Sequence, residues 1–221
     1  MVKASLITVN NISLYYKKQG AGAPMILLHG NGETHAIFDV LAEKLSERYC
    51  VYALDSRGHG QSANAPLDYG QMAEDVAAFI KELGLEKPIL YGFSDGGILG
   101  LLIAMKYPAL LSQLIISGAN LNPKGVKGRW RLLIKVLHAI TKDPKLQLML
   151  TQPHIAPTDL AQIQTPTLVL AGSRDVIYTA HTKEIAAHIP NAVLRILPRE
   201  THSSYVLDNQ KLYDILLPFL S

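Results

Sequence analysis

The chain has 221 residues, 48% of them hydrophobic and 18% charged, with a net charge of +3. That is enough apolar material for one full core, too little charge for extended disorder, and too even a balance for the whole chain to act as a nucleic-acid binder. The one cysteine, Cys50, excludes a disulfide framework within the chain and fits a reducing compartment.

Residues 5–9 and 12–18 alternate on either side of Asn10-Asn11, which predicts an antiparallel hairpin. Met25-Ile26-Leu27-Leu28 is wholly apolar, as a strand buried on both faces must be, and it ends in His29-Gly30. Phe38, Leu41 and Leu45 have helical spacing. Cys50–Leu54 is the next buried-strand candidate and runs into Asp55-Ser56-Arg57-Gly58-His59-Gly60. Met72 to Leu85 predicts an amphipathic helix with Met72, Val76, Phe79, Ile80 and Leu83 on one face. A strand then leads to Gly92, a helix runs to Tyr107-Pro108, and a further strand lies near Gln113–Ser117. Residues 119–158 break the alternation and read as two short helices with polar joints. The strand pattern resumes at 166–172, followed by a helix near 178–188, a strand at 192–197 and a last helix at 208–220. Strands alternating with helices imply an α/β fold with a mainly parallel sheet covered on both faces. The expected organisation is a core of residues 1–118 and 159–221 with a helical cap insertion at 119–158.

The chemistry concentrates at Gly92-Phe93-Ser94-Asp95-Gly96. This is G-x-S-x-G between an apolar strand-like run and a helix-like one, the setting of a nucleophile elbow. A serine in that turn has its hydroxyl lifted clear of the sheet and sits at a helix N-terminus, where free N–H groups can stabilise negative charge. Its hydroxyl needs a base, and the base needs an orienting group. Asp175 and His202 follow successive later strands, and the order Ser94, Asp175, His202 is the one expected of this elbow. His59 reads as a turn residue; His138, His154, His181 and His188 read as surface or boundary residues. An oxyanion hole needs two backbone N–H donors. Asp95 offers the one after the nucleophile, and Asn31, in the loop after Met25–Leu28, is favoured for the other. Gly30 and Gly32 serve either there or as turn residues. Gly30, Phe93 and Trp130 are candidate substrate contacts.

Three other features carry two readings each. Gly58-His59-Gly60-Gln61-Ser62-Ala63 fits a dinucleotide pattern, but Asn64-Ala65-Pro66 follows where a helix should open, so a tight turn with Arg57 in a structural ion pair is expected. Asp95 could attract a cationic substrate group or bond the N–H groups of its own helix turn, and the local role is favoured; Glu33 raises the same question. Residues 124–145 hold seven lysines and arginines against one acid, a net of +6 that leaves the rest of the chain near −3. Within them Trp130, Leu133, Ile134, Leu137 and Ile140 share a helical face. This is either a lid that rests on an anionic membrane or admits an anionic or acyl substrate, or an ordinary lid helix, apolar toward the site and solvated outside, and the second is favoured. No cofactor or metal is expected, because no zinc motif or cysteine cluster is present. The opening residues lack a signal-peptide pattern and the longest apolar runs are about eight residues, so a cytoplasmic setting without integral membrane association is expected.

Taken together, His29-Gly30-Asn31-Gly32, Asp55-Ser56-Arg57-Gly58-His59-Gly60-Gln61-Ser62, Gly92-Phe93-Ser94-Asp95-Gly96-Gly97, Gly172-Ser173-Arg174-Asp175 and Thr201-His202 resemble the α/β-hydrolase superfamily over nearly the whole chain. The elbow is similar to that of small biphenyl-hydrolase-like esterases. Epoxide hydrolases and haloalkane dehalogenases of the same fold carry aspartate at the elbow, and Ser94 argues against both. The resemblance implies a serine esterase on a small ester or acyl substrate. A thioesterase, lactonase or carbon–carbon hydrolase would use the same groups, and a ligand sensor on a hydrolase scaffold is the reading from another class.

Overall fold

The computed structural model describes residues 2–220. Eight strands form one sheet in the order β1-β2-β4-β3-β5-β6-β7-β8. The hairpin forms as expected: β1 (Lys3–Val9) and β2 (Ile12–Gln19) pair antiparallel around Asn10 and Asn11, both at positive φ. β2 also pairs antiparallel with β4 (Tyr49–Leu54). From there β4, β3 (Ala23–Leu28), β5 (Ile89–Phe93), β6 (Gln113–Ser117), β7 (Thr167–Gly172) and β8 (Ala192–Leu197) are all parallel.

The apolar runs are explained by two cores, one on each face. Along β3, Ile26 and Leu28 join Met72, Val76 and Phe79 of α2 (Tyr69–Glu82) and Ile98 and Leu99 of α3 (Asp95–Lys106). Met25 and Leu27 point the other way, to Leu41 and Leu45 of α1 (Asp39–Leu45) and Leu212 and Leu216 of α8 (Asn209–Leu220). α2 begins three residues before the expected start, because Asp68 caps it: its side chain accepts the Gln71 N–H at 2.9 Å.

Between β6 and β7 run α4 (Gly128–Thr141) and α5 (Pro144–Thr151), flanked by short 3₁₀ turns. α6 (Thr179–His188) follows β7, and the short α7 (Ser204–Leu207) precedes α8. The chain leaves β3 for β4 on one side of the sheet and returns to β5 on the other. β3 and β5 are neighbours, so their carboxyl ends flank a topological switch point, where open α/β sheets form clefts.

Candidate active site

Ser94 stands at that switch point, between β5 and α3, with φ 54° and ψ −112°. A non-glycine residue there costs about 1–3 kcal/mol, so the surroundings must hold it. They do so from both sides. Its N–H donates to Ser117 O at the end of β6 (2.7 Å), its carbonyl accepts from Gly97 and Ile98, and Gly96 N–H donates to His29 O after β3. The flanking glycines are sterically required: a Cβ on Gly92 would lie 2.2 Å from Gly96 O, and one on Gly96 would lie 2.2 Å from Leu28 O.

The structure brings the three predicted side chains together. His202 Nε2 lies 3.1 Å from Ser94 Oγ, and His202 Nδ1 lies 2.7 Å from Asp175 Oδ1. Asp175 is buried after β7, and the same oxygen accepts the Ile177 N–H at 2.9 Å. The His202 ring rests on Phe93, with centroids 5.0 Å apart, and on Gly118 after β6. Gly118 has φ +65°, and a Cβ there would stand 2.6 Å from His202 Cε1. Phe93 therefore supports the imidazole from below and is not among the cavity-lining residues.

Two backbone N–H groups near Ser94, those of Asn31 and Asp95, have no acceptor among the described residues. The N–H of Gly30 is already committed: it donates to Glu33 Oε2 at 2.9 Å, and burial raises the Glu33 carboxyl above its ordinary pKa.

Asp95 departs from the expected local role. It makes no bond to the N–H groups of its own helix. One carboxylate oxygen accepts from Tyr69 OH (2.7 Å) and the other from Asn31 Nδ2 (2.9 Å). The reason is burial. Asp95 is 4% exposed and Tyr69 2%, and a buried acceptor and a buried donor each need a partner. Burial raises the Asp95 carboxyl, while Asn31 and Tyr69 act in the opposite direction. Asn31 Nδ2 also donates to Lys145 O (3.2 Å), so one amide ties the loop after β3 to the elbow and to α5.

A cavity of about 170 Å³ opens beside Ser94 and His202. Its walls include Val126, Trp130, Ile134, Met149 and Ile177, with Asn120, Gln152 and Tyr69 as polar points. Tyr69, Asn120 and Gln152 are the residues sequence reasoning passed over. Asp68 followed three residues later by Gln71 is a helix-start signal that would have placed Tyr69 at the first turn of α2. Gln152 then fastens there, donating to Asp68 Oδ2 and accepting from the Tyr69 N–H.

The expected lid helix is also corrected. Of the residues predicted to face the site, only Trp130 and Ile134 line the cavity. Leu133, Leu137 and Ile140 are exposed, and α4 buries no residue at all. α4 rests on α5 along one flank. His181 is more than a boundary residue: its Nε2 accepts the Leu121 N–H at 2.8 Å, where the chain leaves the sheet for α4.

The remaining motif residues are structural. Arg57 makes a two-pronged pair with Asp75, at 2.5 and 2.8 Å, and His59 Nδ1 lies 2.9 Å from Arg57 O. Among the described residues, no group of three or more His, Cys, Asp or Glu side chains is placed to hold a metal ion, and no helix is long and apolar enough to cross a membrane.

A serine, an imidazole and a carboxylate in line, next to two free N–H groups, are equipped for acyl transfer. The chain belongs to the alpha/beta hydrolase fold family, whose model matches residues 23–135. Among its relatives, the serine hydrolase BPHL of Homo sapiens is 27% identical over 240 residues, 93% of this chain and 82% of that protein. The pimeloyl-acyl-carrier-protein methyl ester esterase of Aliivibrio salmonicida is 33% identical over 141 residues, 63% of this chain and 52% of that enzyme. A hydrolase from Pseudomonas aeruginosa PA01 superposes with a TM-score of 0.82 at 24% identity, covering 99% of this chain and 98% of that one. The class of activity supported is hydrolysis.

Proposed function

We propose that the chain is a serine hydrolase that cleaves small carboxylic esters through an acyl-enzyme. The observation that carries this reading is the hydrogen-bonded line from Asp175 through His202 to Ser94 at the mouth of a small apolar cavity.

His202 Nε2 takes the Ser94 proton as Oγ attacks the ester carbonyl, and Asp175 holds the other ring nitrogen as the donor. The N–H groups of Asn31 and Asp95 bind the developing oxyanion; in such sites one donor is worth roughly 3–4 kcal/mol. The Asn31–Asp95 side-chain bond fixes the two donors relative to each other. His202 then returns its proton to the leaving alkoxide. A water, deprotonated by the same imidazole, attacks the acyl-enzyme, and Ser94 recovers its proton as the acid departs.

Residues 119–158 act as a cap whose Val126, Trp130, Ile134 and Met149 meet the acyl or alkyl group. At about 170 Å³ the cavity is below the range of roughly 300–1,000 Å³ typical of drug-sized ligands, which favours a short chain.

A fluorophosphonate probe should label wild type and leave Ser94→Ala unlabelled. A chain-length series of chromogenic esters and thioesters should show kcat/KM falling once the acyl group outgrows the cavity. With Ser94→Ala the best substrate should lose about 10⁴-fold or more. Equal labelling of the two proteins would sink the assignment.

A further inference from the structure

α4 is an amphipathic helix turned inside out. Trp130 and Ile134 face the cavity, but the aliphatic ridge points to solvent: Leu132 is 63% exposed, Leu133 46%, Val136 49%, Leu137 41% and Ile140 74%. At 100° per residue these five fall in one arc, on the flank away from Arg131, Ile134 and His138. All five are exposed among the described residues, and single surface leucines are ordinary while a contiguous ridge of five is not.

The charge around the ridge indicates what covers it. Lys124, Arg131 and Lys135 line an open groove of about 790 Å³ beside α4, together with His154 and no acidic residue. None of the three cationic side chains has a hydrogen-bond or ion-pair partner among the described residues. Arg129, 5.5 Å from the Trp130 ring, falls within the arc of the ridge at the N-terminal end of the helix, and Lys135 lies beside the arc, about 60° round from Leu132. Residues 124–145 carry a net +6 in all. A second copy meeting this face by a twofold axis would set that charge against itself. An anionic bilayer complements both features at once. Its acyl boundary accepts the aliphatic ridge and its phosphates meet Arg129 and Lys135 at the ridge's edges.

We propose that the outward face of α4 is a docking surface for anionic lipid bilayers, with Leu132, Leu133, Val136, Leu137 and Ile140 entering the interface and Arg129 and Lys135 meeting lipid phosphates. The helix lies in the plane of the interface and does not cross it. Because the adjoining side of α4, through Trp130 and Ile134, walls the Ser94 cavity, docking holds that cavity at the membrane surface. The inference concerns binding and does not depend on the bond that is hydrolysed.

The test is co-sedimentation with vesicles of phosphatidylcholine alone and of phosphatidylcholine mixed with phosphatidylserine. Wild type should bind the mixed vesicles, ignore the neutral ones and release as salt rises. Replacing Leu132, Val136 and Ile140 together by Asn should lower partitioning about tenfold for each side chain. Arg129→Gln and Lys135→Gln should each lower it about fivefold. All these side chains point away from the Ser94 cavity or lie on its outer flank, and an unchanged urea midpoint shows that a variant has folded. Four results would each overturn the proposal: no binding to mixed vesicles, equal binding to both kinds, variants that bind like wild type, or self-association through α4 that the Asn variant abolishes.

Discussion

Tyr69 illustrates how one hydroxyl tunes the site. Its bond to Asp95 favours the ionised carboxylate against the burial that disfavours it. Removing it in Tyr69→Phe leaves a buried carboxylate oxygen without a donor, at a cost of about 1–3 kcal/mol. The sign with pH follows from linkage. Asp95 has a raised folded pKa, so its protonated form stabilises the fold, and that contribution is lost as pH rises through the folded pKa. Losing the Tyr69 bond raises that pKa further, so the variant should be most destabilised at about pH 7 and less so toward about pH 4, near the ordinary carboxylate range. Urea unfolding at the two pH values checks it, and a pH-independent difference would refute it. The same residue marks where sequence reasoning stopped. Ser94, Asp175 and His202 were legible because each follows a strand in a fixed order, and strand ends converge in this fold. The partners of Asp95 were not, because Asn31 and Tyr69 lie on other elements, 64 and 26 positions away, and side-chain pairing across that distance leaves no periodic trace.

Strands were legible whether doubly buried, as continuous apolar runs, or half-exposed, as in the hairpin and β8. β3 to β7 are near-continuous apolar runs because helices cover both faces, and all were anticipated within a residue or two. The helices of the 119–158 segment were anticipated too, but the direction of the apolar face of α4 was not, because spacing identifies an apolar arc without saying whether the fold or the solvent receives it. What positions α4 and α5 is a set of ties at the root of the segment. His181 accepts the Leu121 N–H, Lys127 N–H donates to Val176 O, and Tyr178 N–H donates to Gly125 O. Replacing His181 by Ala removes the acceptor of a largely enclosed N–H. Local opening of residues 119–158 should become about tenfold more frequent, the equivalent of one lost hydrogen bond. Limited proteolysis should cut there correspondingly faster while the urea midpoint of the sheet moves little; unchanged cutting would show that the other ties suffice. Acid should act in the same direction. Burial lowers the His181 pKa, so the neutral ring's contribution is complete above the ordinary histidine value of about 6.5 and is lost as pH falls from there through the folded value.

At the scale of the whole molecule, the loop ends above the sheet hold several histidines in surroundings that favour the neutral ring. His29 is 1% exposed, accepts the Ser56 N–H on Nε2 and has Nδ1 2.7 Å from Gly30 O; burial lowers its pKa to about 4. Burial also lowers His59 and His181. A depressed histidine stabilises the fold above its unfolded pKa and loses that contribution as pH falls toward its folded value. For His29 the window runs from the ordinary value of about 6.5 down to about 4, worth about 3 kcal/mol. Glu33 and Asp95 act oppositely, since their raised carboxyls favour the folded state as they take up protons. A bare pH profile therefore mixes the two signs, and a variant is needed to separate them. His29→Leu keeps the volume apolar, leaves the Ser56 N–H unpaired and removes the titration. Its destabilisation relative to wild type should be greatest at about pH 7 and smaller by about 3 kcal/mol at about pH 4, because wild type loses the His29 contribution across that range and the variant has none to lose. The carboxyl contributions cancel in the difference. Urea unfolding of both proteins across that range provides the measurement, and a gap that stays constant with pH would mean that the enclosed imidazole titrates as an exposed one does.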